Sequence, residues 1–127
     1  MTVDISKHIH QWRRGAEEDL DVAAKLIGDK RIRHGLFFLH LALEKLLKAL
    51  VCKKTLDLAP RIHNLVRLSE IALLELNQEQ LDLLADLNSF NIEGRYPELN
   101  LPQLSMDEAM QYLKRAKELF QWLMQLL

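Results

Sequence analysis

Apolar residues recur at three- and four-residue steps in five segments of the chain. In the first, Ile5, Ile9, Trp12, Ala16, Leu20, Ala23 and Ile27 draw one stripe down a helix, and Arg13, Glu17, Asp21 and Lys25 fall off it. Gly28 supplies a stop. The second segment, about Arg31 to Lys54, differs in kind. Gly35, Phe38, Leu39, Ala42, Leu46 and Ala49 share a face, and Leu36, Leu43 and Leu50 widen it to most of the circumference. A helix apolar on so many sides belongs at the centre.

Pro60 suits the first turn of a third helix, where its missing N–H costs nothing, and Ile62, Leu65, Val66, Leu68, Ile71 and Ala72 give that helix a buried side ending near Leu76. Asn77 with Gln80 forms a capping pair for a fourth, whose inner positions are Leu81, Leu84, Ala85, Leu87 and Ile92, running toward Gly94. PELNLPQL, from Pro97 to Leu104, resists helix and makes the longest loop. Ser105 and Glu108 form a second capping box, and Ala109, Leu113, Ala116, Phe120, Leu123 and Leu127 line the last helix. Trp12 and Trp122 are expected in the core. Short connections set successive helices antiparallel, so the predicted fold is all-α: an antiparallel up-and-down bundle of four to five helices.

Length and composition agree with one domain over 1–127: 127 residues with 49% hydrophobic side chains can bury a core. Four Gly, three Pro and abundant Leu favour helix over sheet. With 17 Lys and Arg against 18 Asp and Glu, the chain has no overall field drawing it to nucleic acid or acidic lipid, so any such binding must be local. The start, MTVDISKHIH, lacks signal- or transit-peptide character, the single Cys52 has no disulfide partner, and no apolar run reaches the length of a membrane span. A cytoplasmic location without membrane contact is expected.

Candidate chemistry concentrates in three places. RIRHGLFFLHLALEKLLKAL sets His40, Glu44 and Lys48 at steps of four, where Glu44 can accept from either neighbour, and Arg33, Phe37, His40, Glu44 and Leu47 along one side of the central helix, a polar stripe also suited to a subunit contact that fixes register. Arg33 and His40 also stand as an Arg–His pair, but seven steps of helix separate them by ~10 Å. His63, in RIHNL, falls at the expected start of helix three, where free N–H groups favour an anion. Arg95 and Tyr96 close helix four. The guanidinium offers a fork matched to phosphate, and the phenol a stacking surface. With alternating helix directions, one pole gathers the start of helix one, Lys53 and Lys54, Arg61 and His63, joined by Arg95 and Tyr96 if helix four returns to that pole. No metal site is expected, because no histidine pair has a ligand-like spacing.

FFLHLALEKLLKAL, RIHNLVRLSE and FNIEGRYPE, in that order, resemble the HEPN family of small helical-bundle proteins, and the similarity covers nearly the whole chain. The resemblance implies a bundle that commonly dimerises and often accompanies a small nucleotidyltransferase. Many HEPN proteins resemble RNases or toxins, with an Arg followed four to six residues later by His late in the bundle. Here Arg95 is followed by YPELNLPQLSM, which contains no His.

Two functions follow from the residues and the resemblance together. The first is a nucleotide-binding or regulatory subunit that forms a homodimer and pairs with a separate nucleotidyltransferase, as in a toxin–antitoxin-like module. This chain carries no nucleotidyltransferase signature of its own. Its phosphate-binding residues would be Arg61, His63, Arg95, Tyr96, Lys53 and Lys54, with no cofactor. The alternative is a metal-independent endoribonuclease toxin in which Arg95 holds phosphate and His63 does acid–base work on RNA.

Overall fold

A computed structural model describes residues 4–95 and 103–127, the side chains of 93–95 excepted. Among the described residues five helices follow one another: α1 (Ile5–Gly28), α2 (Ile32–Thr55), α3 (Leu65–Ile71), α4 (Gln78–Arg95) and α5 (Met106–Met124). The all-α expectation holds, with α2 at the centre against each of the other four.

Caps set most boundaries. The Asp4 side chain accepts from the Lys7 N–H at the start of α1. Asn77 and Gln80 exchange side-chain-to-backbone bonds of 2.9 and 2.8 Å ahead of α4, and Ser105 and Glu108 do the same for α5 at 3.1 Å each. Both boxes satisfy donors that an uncapped helix start leaves open. Gly28 is the last residue of α1, and the left-handed conformation falls on Lys30 instead.

The core joins Ala16, Ala23 and Ile27 of α1, the Leu-rich faces of α2 from Leu36 to Val51, Leu65 and Leu68 of α3, and Leu84, Leu87, Ala116 and Leu123 of α4 and α5. Two expected inner positions of α4 differ. Ala85 is exposed and Ile92 is 52% exposed, and α4 instead buries Leu83, Phe90 and Asn91. Trp122 is 37% exposed rather than core.

The third segment departs most from expectation. Residues 59–64 do not open a helix. They climb back along α2, from Ala59 beside the Cys52 thiol to His63 beside Glu44. Asn64 is the cap, its side chain accepting from the Arg67 N–H at 3.2 Å, so α3 begins at Leu65 and lasts only seven residues. As a result α3 runs in the direction of α2: it starts near His40 and ends where Ala72 and Leu74 adjoin Leu50, Lys53 and Lys54. The helix after it, α4, then runs against α2, and α5 runs with it. The alternation therefore slips by one at α3, and with it the predicted gathering of charge at one pole.

Candidate functional site

The polar stripe of α2 faces inward. Glu44, Lys48 and His40 recur every four residues on one side of that helix, and in the bundle α1, the 59–64 segment and α4 close over them. His40 is wholly buried, and the Glu44 and Lys48 side chains are each 7% exposed. The expected subunit contact through Arg33, Phe37, His40, Glu44 and Leu47 is thus corrected: His40, Glu44 and Leu47 lie in the core of the single chain, while Arg33 and Phe37 are half-buried. The cause is the climbing segment, which covers the side of α2 that an up-and-down bundle would leave open.

Glu44 is the hub. Lys48 donates to its Oε2 at 3.0 Å, and the Nδ1 of His63 lies 3.1 Å from each carboxylate oxygen. A carboxylate only accepts, so His63 carries its proton on Nδ1 and, in the neutral ring, presents Nε2 as an acceptor. The His63 side chain is 53% exposed, with no protein partner described at that nitrogen. Lys48 also sits 5.3 Å above the ring of Trp12, which covers the ammonium from the α1 side.

His40 pins the same segment by its backbone. Its Nε2 donates to the His63 carbonyl at 2.9 Å, which leaves Nδ1 to accept from the Asn91 amide at 3.4 Å. Farther along, the Asn88 carbonyl oxygen accepts from the Leu65 N–H at 2.9 Å, and its amide donates to Asn64 at 3.1 Å. One residue, His63, is therefore held twice: ring by α2 carboxylate, backbone by α2 imidazole. Asn64, Asn88 and Asn91 were absent from the expected site. The signal for the α4 pair was available, because Asn88 and Asn91 fall at the three-residue step that continues the stripe of Leu84 and Leu87.

Burial depresses the His40 pKa below 6.5, while the nearby Glu44 charge and the His63 carbonyl pull the other way. The folded protein thus prefers neutral His40. Below about pH 6.5 the unfolded chain binds a proton that the folded chain resists, so stability is intact above that value and falls as pH drops toward the lowered folded pKa. Melting temperatures measured from about pH 5 to about pH 8 will show this slope. His40→Gln, whose amide still has a donor for the His63 carbonyl, will flatten it; an equal slope in both proteins would refute the assignment.

The remaining candidates divide. Lys53 donates to the carbonyls of Leu126 and Leu127 at 2.8 and 3.0 Å, fastening the end of α5 to the end of α2. It is nine residues from Glu44, ~13 Å of helix rise. Lys53 and Lys54 therefore do not share a cradle with His63, a correction that follows from the climb of 59–64. Arg61 is exposed and precedes His63 by two residues. Arg95 ends α4, one turn beyond Asn91, and Tyr96 lies outside the described residues. Among the described residues no cluster of three or more metal-binding side chains occurs, and no helix is long and apolar enough to cross a membrane.

Chemically, the arrangement offers one oriented imidazole at the surface, backed by a buried carboxylate and ammonium. It can accept or deliver a proton at Nε2, or receive a hydrogen bond from a ligand.

Comparison with known proteins gives a consistent result. The chain is similar to the crystal structure of TT1696 from Thermus thermophilus, with a TM-score of 0.77 and 20% identity over 94% of this chain and 98% of the other, a likeness of fold. No curated protein matches. The family model of the HEPN domain matches residues 9–126, nearly all of the five-helix bundle just described, and the chain belongs to the HEPN domain family.

Proposed function

We propose that this HEPN protein is a nucleotide-binding or regulatory subunit that forms a homodimer, pairs with a separate nucleotidyltransferase in a toxin–antitoxin-like module, and meets nucleotide phosphate at His63 and Arg61. The observation that supports this reading is the double anchoring of His63. Three polar side chains, His40, Glu44 and Lys48, lie buried around it, although an apolar set of the same volume would stabilise a bundle at least as well. Their common effect is to fix one exposed imidazole, two residues after the exposed Arg61. Family membership supports the pairing, and the chain itself supplies no nucleotidyltransferase signature.

The test is thermal melting with ATP, GTP, CTP and UTP in turn, together with co-purification with a nucleotidyltransferase encoded beside the gene. At about one hundred times Kd a bound nucleotide adds about 2.7 kcal/mol to stability, which the wild type will show. His63→Ala and Arg61→Ala will lose that added stability. No shift with any of the four, and no association with the neighbouring enzyme, would overturn the reading.

A second reading keeps the same histidine as the acid–base group of a metal-independent endoribonuclease, with Arg95 as phosphate holder. The path of α4 favours it: Asn91 touches His40, which touches His63, so the last turn of α4 is on the His63 side of α2. RNA cleavage by the purified protein, lost in both His63→Ala and Arg95→Ala, would select this reading over the first.

A further inference from the structure

Away from His63, the outer side of α5 and its groove with α1 carry charges most of which make no ion pair among the described residues. The groove, about 410 Å³, has an apolar floor of Leu20, Phe120 and Met124 and an acidic rim of Glu17 and Asp21. Next to it on α5 is a second hollow of about 280 Å³, where Met110 and Leu113 lie beside Lys114 and Lys117. Gln121 belongs to both. Among the described residues, Asp21, Lys114 and Lys117 stand outside every ion pair, and Glu17 holds only the exposed Arg13 at 3.1 Å. Glu118 borders the basic hollow too, but helical spacing puts it on the edge away from α1.

An acidic rim and a basic rim side by side on one apolar strip have a particular symmetry. A two-fold interface must be its own complement, since the same patch meets itself reversed. Reversal about an axis near Gln121 exchanges the two rims. Their spacings also agree: Lys114 and Lys117 are three residues apart and Glu17 and Asp21 four, or ~4.5 and ~6 Å of helix rise. Met110, 44% exposed, lies on the strip and would be covered. A partner of uniform charge would match one rim and repel the other.

We infer that a second copy of this chain docks on this face, with Lys114 and Lys117 of each copy opposite Glu17 and Asp21 of the other. The inference rests on the homodimer reading above and assigns it a surface in place of the α2 stripe. Like charges brought together across such a contact oppose association. Sedimentation equilibrium should therefore show dimer Kd raised at least about tenfold in Glu17→Lys/Asp21→Lys and, separately, in Lys114→Glu/Lys117→Glu.

An equimolar mixture of the two variants will associate again, because each rim then faces its opposite, and wild-type Kd will rise with added salt. All four positions are exposed, and far-UV circular dichroism on each variant confirms that the bundle is intact. A dimeric wild type with unchanged Kd in both variants, or a mixture that stays monomeric, would overturn this face and leave the homodimer reading standing. A wild type that stays monomeric at every concentration would overturn both.

Discussion

Glu44→Ala will destabilise the protein by about 3–5 kcal/mol, and Glu44→Leu combined with Lys48→Met will recover most of the loss. In the single variant the Lys48 ammonium remains where it was, 7% exposed under the ring of Trp12, with its 3.0 Å acceptor gone. An uncompensated buried charge is far costlier than the net worth of the pair that contained it. The double variant removes both charges and refills the volume, which is often neutral or stabilising. Urea unfolding separates these outcomes. The same change frees the His63 ring, so the single variant will also lose any nucleotide-dependent rise in melting temperature. If Glu44→Ala costs no more than an exposed pair, about 0.2–1 kcal/mol, the inward placement of this stripe is wrong.

That inward placement marks where the sequence stopped being informative. The helices themselves were legible, because each carries a 3.6-residue apolar period and, for α4 and α5, reciprocal capping residues that depend only on neighbours three positions away. The site was half legible. His40, Glu44 and Lys48 at steps of four define one side of α2 from sequence alone, but which element covers that side depends on the path of 59–64.

Pro60 is compatible with a helix start and equally with an extended segment, since both accept its fixed φ. Asn64 decides it, four residues later, by capping α3 with its own side chain. A shift of a few residues in that start reversed the directions of α3 and α4 relative to α2. Lys53 and Lys54 were thereby separated from His63, and the α4 amides were brought onto His40. Local periodicity cannot report such a change, because the apolar stripes of α3 and α4 look the same whichever way the helices point.

Glycines in the first two helices make the last prediction, and they differ in sign. Gly35→Ala will cost about 1–3 kcal/mol, whereas Gly15→Ala will be near neutral or slightly stabilising. Both sit inside helices, where exchanging Gly for Ala by itself gains about 0.5–1 kcal/mol. At Gly35, at the tight α1–α2 turn, an added Cβ would stand 2.5 Å from Ile27 Cγ1, 3.0 Å from the Ile27 nitrogen and 3.2 Å from the Ala23 carbonyl. Ile27 is fully buried, so its side chain has nowhere to retreat, and two of the three contacts are backbone. Relief would require the two helices to separate at their closest approach, loosening Ala23 and Ile27 against Leu36 and Leu39 in the core. At Gly15 the contact is 3.2 Å from Lys45 Cδ, part of a flexible stem whose ammonium lies 2.7 Å from Asp19 and can keep that ion pair after a small rotation. Overpacking therefore outweighs helix propensity at Gly35, and propensity prevails at Gly15. Thermal unfolding of the two variants side by side checks the contrast, and equal shifts would mean that α1 and α2 do not approach as closely at Gly35 as described.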